Sequence, residues 1–142
     1  MIEDQVREWA RGMFPLEAGA ELLIRCGRVY EGAPWIVQGS HRVYVDCERL
    51  LDAAGAWSGG ERRMALVAAS LLEGAPVSLY DLVPGLDRRN AALVLAAIAH
   101  AAGSHADTPE PEVTWRDGKP VAIRRGGTEP LGSLYPWPEV TQ

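Results

Sequence analysis

The sequence predicts a helix-rich α+β domain with a small N-terminal antiparallel sheet and a winged-helix-like second half that ends in a β-hairpin. In several segments apolar residues recur at the three- and four-residue spacing of a helix. Other segments are short β-rich runs that are separated by turn residues. Of the 142 residues, 47% are hydrophobic and 23% are charged, which suffices to bury one core. We expect a single domain over residues 1–127 and a C-terminal tail over 128–142.

Two helices are predicted at the N-terminus. The apolar residues of Ile2–Met13 recur at near-helical spacing, which indicates a surface helix. Pro15 cannot continue that helix, but it suits the first turn of a second one, Leu16–Arg25. Gly27 is a natural stop for the second helix.

Between Arg28 and Asp46 the pattern changes to short β-rich pieces. The pieces RVY, WIV and HRVYV are separated by EGAP and QGS, which are turn compositions. We expect a small antiparallel sheet in this region. Asp46 then offers an N-cap to the short helix CERLLDAA, which ends at Gly55.

Residues 58–125 have the element order of a winged-helix domain. Ser58 begins a capping box ahead of an amphipathic helix that ends at Gly74. A helical turn follows at 78–83, and Asp87 caps a third helix, RRNAALVLAAIAHAA. Because that helix is apolar nearly all the way round, we predict that it is central and buried on most sides.

The clearest local signal is VTWRDGKPVAIRR, in which two alternating runs flank Asp117 and Gly118. This pair suits the positive φ angles of a type I′ hairpin turn. The chain ends in GGTEPLGSLYPWPEVTQ, which is rich in Gly and Pro. We expect this segment to be a polyproline-like tail and not a helix.

The stretch SGGERRMALVAASLLEG resembles the signature segment of ABC-type ATPases, and VSLYDLVPGLDRRN resembles their Walker B and D-loop stretch. Such enzymes hold the phosphates with the amides and lysine of a G-x-x-x-x-G-K-[ST] loop. The sequence has no such loop, and its single lysine is Lys119 in the predicted hairpin. Leu82 stands where the catalytic glutamate is expected. We therefore reject an ATPase function.

The segments REWARGMFPLEAGAELLIR and LDRRNAALVLAAIAHAAG resemble uncharacterised small proteins of actinobacteria and their phages. This resemblance implies the kind of organism from which the chain comes, but it implies no activity. The apolar runs are shorter than the roughly 18–20 residues that cross a bilayer. The start, MIEDQVREWA, carries acids where a signal peptide carries bases. We expect a cytoplasmic protein without a membrane partner.

Two groups of residues are candidates for chemistry. His100, His105 and Asp107 are zinc-ligand types in an H-x4-H-x-D group, but the first is predicted in a helix and the second in a loop. We interpret them as structural and expect no metal or cofactor. His41 and Cys47 are candidates for a nucleophilic pair, although no oxyanion or base-orienting signature flanks them. A small enzyme is therefore the second alternative function, but we assign no residue as catalytic.

The five tryptophans lie in different predicted elements, so we interpret most of them as core or edge packing. Trp137 differs because it lies in the Pro-rich segment LYPWPEV, which docks on its own domain or on a partner. We favour docking on its own domain. The candidate partner contacts in the tail are Leu134, Tyr135 and Trp137.

The function that we expect is a non-enzymatic protein-interaction or assembly module. It would bind another protein, or a second copy of the chain, through an apolar helix face or the aromatic tail. The alternative is a winged-helix DNA-binding protein, although the net charge of −5 argues against general affinity for phosphates. The candidate DNA contacts are the polar start of the third helix and the basic residues of the hairpin: Arg88, Arg89, Asn90, Arg116, Lys119, Arg124 and Arg125.

Overall fold

The computed structural model describes residues 1–107, 112–124 and 129–139. Within these ranges the structure contains six α-helices and several short strands, which confirms the predicted helix-rich α+β class. The helices are α1 (Ile2–Ala10), α2 (Phe14–Arg25), α3 (Cys47–Ala54), α4 (Gly59–Glu73), α5 (Leu79–Leu82) and α6 (Arg88–Ala101). None of the helices in the described ranges is both long and apolar enough to span a membrane.

Helix α2 lies at the centre of the molecule and packs against α1, α4 and α6. Its Leu22 and Leu23 are almost completely buried. Gly19 allows α4 to approach closely, because a Cβ at this position would lie 2.7 Å from Leu72 Cγ and 3.1 Å from the carbonyl oxygen of Ala68. The absence of a side chain at this position therefore sets the distance between the two helices.

The prediction that α6 is central and buried on most sides is wrong. One face of α6 is buried and includes Leu93, Val94 and Ala97. Leu95 and Ile98, by contrast, are 47% and 50% exposed. Because α2 occupies the centre, α6 has only one face to bury, and its remaining apolar residues form an exposed stripe.

For α3, α4 and α6, the helix starts that the sequence predicts are confirmed by capping hydrogen bonds, whereas α2 begins at Phe14, two residues before the predicted start. The side chain of Asp46 accepts a bond from the third residue of α3, and Ser58 does the same for α4. Asp87 accepts a 2.7 Å bond from the amide of Asn90 at the start of α6. Gly74, with a φ of 76°, ends α4 in the left-handed conformation.

The strands form short antiparallel pairs: β1 (Ile36–Gln38) with β2 (Val43–Val45), β3 (Ala106–Asp107) with β6 (Glu129–Pro130), and β4 (Glu112–Arg116) with β5 (Lys119–Arg124). The RVY piece at 28–30, predicted as a strand, is an irregular connection. Asp117 and Gly118 have φ angles of 51° and 75°, which confirms the predicted type I′ turn.

The element order predicted for residues 58–125 is present, but its packing joins it to the first half of the chain. Helix α6 packs mainly on α2 and less extensively on α4. Buried residues from both halves belong to one hydrophobic cluster. Residues 58–124 therefore share one core with the first half of the chain.

Candidate functional site

Two histidines and a glutamate meet where the C-terminal end of α6 passes the first turns of α2. His100 lies in the last turn of α6, and its ring stacks on that of His105, with centroids 4.0 Å apart and planes at 14°. Glu17 of α2 places its Oε1 atom 2.8 Å from His100 Nε2. One ligand-type atom from each of the three residues lies within 4.8 Å of the others. We call this group the histidine cluster.

The carboxylate of Glu17 is fixed by two partners. Its Oε2 atom accepts a 2.9 Å hydrogen bond from the amide of Gly12, which leaves Oε1 directed toward His100. Burial alone would raise the pKa of Glu17, but the hydrogen bonds from Gly12 and His100 outweigh it and lower the pKa. Glu17 is therefore a positioned, ionised carboxylate.

The turn after α6 brings His105 back toward the helix. Gly103 makes this turn with a φ of 76°, and a Cβ there would lie 3.0 Å from the ring of Phe14. That ring contacts His105 edge-on, with centroids 4.6 Å apart. The carbonyl of His105 accepts a 2.7 Å hydrogen bond from the amide of Leu131. Sterics and hydrogen bonding together hold the second imidazole in place.

His105 is the unsatisfied member of the cluster. Its Nδ1 atom is buried and has no hydrogen-bond partner in the described parts of the chain. Burial, with a smaller contribution from the neighbouring His100, lowers the pKa of His105. The H-x4-H-x-D pattern groups the two histidines with Asp107, but Asp107 lies in β3, and the carboxylate that bonds to His100 is that of Glu17.

Part of the C-terminal tail docks on α2 beside the histidine cluster. Trp137 packs against the core, and the guanidinium carbon of Arg25 lies 5.1 Å from its ring centroid. The same arginine donates a 2.6 Å hydrogen bond to the carbonyl of Pro138. Glu21 holds Arg25 through a 2.9 Å ion pair. The expectation that this segment docks on its own domain is confirmed.

The other two candidate partner contacts of the tail face solvent. Leu134 is 78% exposed and Tyr135 is 56% exposed. Their segment is tied down by the Ser104 hydroxyl, which accepts a 3.2 Å hydrogen bond from the amide of Leu134.

The environment of Cys47 opposes a role as a nucleophile. The residue is 2% exposed at the start of α3. Burial, together with the carboxylates of Glu73 and Asp46, raises the pKa of its thiol to about 12, whereas a reactive cysteine needs a lowered pKa. His41 lies in the β1–β2 loop, on an open groove of about 670 Å³. In the described structure, no hydrogen bond links His41 to Cys47.

The three candidate DNA contacts on α6 differ in their exposure and in their hydrogen bonds. Arg88 is exposed. Arg89 is exposed as well, but its guanidinium donates a 3.2 Å hydrogen bond to the carbonyl of Arg25. Asn90 is half-buried and lines a cavity of about 190 Å³ with Asp87. Of these three residues, Arg88 is therefore the one whose side chain is exposed and makes no hydrogen bond to the described residues.

The candidate DNA contacts on the hairpin lie next to its turn. Arg116 and Lys119 are exposed and are opposite each other in the β4–β5 register. Arg124 ends β5, while its side chain and the whole of Arg125 lie outside the described residues.

One face of the hairpin is apolar and exposed. The register pairs Val113 with Ile123. It shifts between Thr114 and Trp115, so that Trp115 pairs with Pro120, and Val121 lies beside this pair as the extra residue of a bulge. Trp115 is 62% exposed, and the other three are 37–61% exposed. We call these four side chains the hairpin face. A two-stranded hairpin is marginal by itself, so an uncovered apolar face on one is unusual.

The exposure of Trp115 is not predicted by the sequence. The other four tryptophans pack in or against the core, as expected: Trp9, Trp35, Trp57 and Trp137. The signal for Trp115 was its place in an alternating run, which aligns it with the apolar residues of the opposite strand.

No protein-family model, no curated protein and no solved structure matches this chain. Fold and site together define a small α+β domain with a histidine cluster at one end of its central helix and an exposed apolar hairpin face.

Proposed function

We propose that this chain is a non-enzymatic protein-interaction module whose contact surface is the hairpin face. The observation that carries the proposal is the 62% exposure of Trp115 within a row of exposed β-branched residues. Contiguous exposed apolar patches are typical of interaction sites. Tryptophan is enriched among the residues that contribute most to the free energy of binding.

The strand edges of the hairpin favour a partner that binds as an extended segment. Within the described ranges β4 and β5 pair with each other alone, so each presents an outer edge of backbone amides and carbonyls. An added strand would satisfy these groups, while its alternate side chains would cover the hairpin face. We therefore expect the partner to be a protein with an extended, apolar segment.

The free energy expected from burying the hairpin face on binding supports a specific but reversible contact. Full burial of an exposed Val, Ile or aromatic side chain contributes about 1.5–3 kcal/mol. The four side chains of the hairpin face are already partly buried, so together they supply roughly half of the sum for four full burials, about 3–6 kcal/mol. Association costs about 4–15 kcal/mol in lost motional freedom. Backbone hydrogen bonds along an edge are therefore needed as well.

A pair of double variants tests this function. Trp115→Ser with Ile123→Ser removes the hairpin face, whereas Thr114→Ser with Ala122→Ser changes the opposite face of the same strands and serves as the matched control. Sedimentation velocity first separates self-association from binding to another protein. Affinity capture at low and high salt then compares the two variants with the wild type.

The expected result is a protein captured by the wild type and the control but lost from the Trp115→Ser, Ile123→Ser variant. Because the contact is apolar and hydrogen-bonded, its capture should persist at high salt. Equal capture by both variants would contradict the proposal. Circular dichroism of the two variants verifies that the helical core is intact.

The alternative, DNA binding, is favoured by the exposed cross-strand pair of Arg116 and Lys119 at the hairpin tip. Fluorescence anisotropy with a random-sequence duplex tests it. Binding should weaken linearly on a log–log plot against salt, with a slope that falls by about 0.9 for each phosphate contact removed by alanine substitution. Absence of binding at low salt would rule this alternative out.

A further inference from the structure

We propose that Glu17, His100 and His105 bind one divalent transition-metal ion, for which zinc is the best fit. Two imidazole nitrogens and one carboxylate oxygen are a donor set that zinc and its first-row neighbours prefer. The three donor atoms already lie within 4.8 Å of one another. The site is separate from the hairpin face, so it stands independently of the proposed function.

The site is built in the manner of a metal centre and not of a chance contact. The Gly12 amide holds the Oε2 atom of Glu17 and leaves Oε1 available. Ligating side chains in metal sites are oriented by such outer hydrogen bonds. A second observation is independent of the first: the Nδ1 atom of His105 is buried without a partner in the described ranges. A buried polar atom normally has a partner, and a bound ion at this cluster would account for its place there.

The geometry requires a small rearrangement of side chains. At Zn–N distances of about 2.0–2.1 Å, tetrahedral ligand atoms lie roughly 3.3 Å apart, so the widest separation must shrink by at most about 1.5 Å. The 2.8 Å hydrogen bond between Glu17 and His100 must give way to the ion. The two rings, now stacked at 14°, must turn so that one nitrogen of each converges on the ion. Rotation about side-chain bonds supplies this movement while the helix backbones stay in place.

Two of the three proposed ligands are accessible to an ion from solution. His100 and Glu17 line an open cavity of about 310 Å³, which gives an entry path and room for water as a further ligand. Three protein ligands with an open side are the arrangement of a zinc site that retains an exchangeable position.

The test uses the full chain without an added tag, stripped with chelator and titrated with Co²⁺ and then Zn²⁺. We expect one cobalt ion per chain with visible absorption bands, displaced by one equivalent of zinc. The zinc Kd should be micromolar or tighter. It should weaken by about 10- to 100-fold or more in His105→Gln and in Glu17→Gln.

The matched control is His41→Ala, which removes the third histidine of the chain from an open groove in the β1–β2 loop. This variant should bind zinc as the wild type does, and zinc should raise the Tm of both. His105→Gln is the most informative variant, because the lost ring nitrogen has no described hydrogen bond to break and the fold should survive. Unchanged zinc affinity in His105→Gln, or no cobalt spectrum in the wild type, would overturn the proposal.

Discussion

Replacing Gly19 with alanine is predicted to destabilise the fold, although alanine is the better helix former. Gly19 is buried in the middle of α2, where α2 crosses α4. A Cβ there would lie 2.7 Å from Leu72 Cγ and 3.1 Å from the carbonyl oxygen of Ala68. Leu72 is 7% exposed and the second atom belongs to the α4 backbone, so neither can move aside freely.

Two opposing terms set the magnitude of this effect. Alanine gains about 0.8–1.0 kcal/mol over glycine in a helix interior. Overpacking of a well-packed core costs about 1–3 kcal/mol. The difference is a net loss of about 1 kcal/mol. With a urea m-value of about 2 kcal/mol/M, the midpoint of unfolding should fall by about 0.5 M.

Urea unfolding followed by circular dichroism measures this change, and Gly60→Ala is the matched control. Gly60 also lies in a helix, but a Cβ there would meet Asn90 Nδ2 at 3.7 Å, an ordinary contact. Gly60→Ala should therefore leave stability unchanged or raise it by a few tenths of a kcal/mol. A Gly19→Ala variant as stable as Gly60→Ala would refute the close approach of α2 and α4.

Three further predictions concern Glu21, the tail and Cys47. Burial alone would raise the pKa of Glu21, but hydrogen bonds from Arg7 and Arg25 outweigh it and hold the pKa below its ordinary value. Glu21→Gln should therefore lower the free energy of unfolding by about 1–2 kcal/mol at neutral pH. As the pH falls through the lowered pKa of Glu21, the free energy of unfolding of the wild type should fall to that of the variant. A difference in this free energy that persists in acid would contradict the prediction. Arg25→Ala should free Trp137, so acrylamide quenching in a Trp115→Phe background should increase, whereas Arg25→Lys should retain part of the protection. Cys47 should resist alkylation until the chain unfolds, because burial raises its pKa to about 12; rapid labelling of the native protein, located by mass spectrometry, would contradict this.

Features set by neighbours in the chain could be predicted from the sequence. The caps at Ser58 and Asp87 need only a side-chain oxygen and an amide three residues on. The type I′ turn needs only two residues that tolerate positive φ, Asp117 and Gly118. Such signals lie within a few residues of one another, so no knowledge of the tertiary packing is required.

The histidine cluster could not be predicted in the same way. Glu17 and His100 are 83 residues apart, and they meet only because α6 packs on α2. The spacing pattern instead associated the two histidines with a carboxylate that is near in sequence. Donor types can be recognised in a sequence, but their convergence depends on which helices are neighbours.

The exposure of particular apolar residues could not be predicted from the sequence either. The apolar pattern of α6 is compatible with a helix buried all round or with one that keeps a stripe at Leu95 and Ile98, and the central position of α2 decides between them. The alternation around Trp115 likewise predicts an apolar side of the hairpin without showing what covers it. Periodicity reports which residues share a face and not which faces meet.

The most direct test of the proposed interaction surface is site-specific photocrosslinking in cells that express the protein. A photoreactive phenylalanine derivative is placed at position 115 in one variant and at position 114 in the other; Thr114 and Trp115 are both exposed but lie on opposite faces of β4. The proposal predicts a discrete protein adduct from position 115 and none from position 114. Equal crosslinking from both positions, or an adduct from position 114 alone, would contradict it.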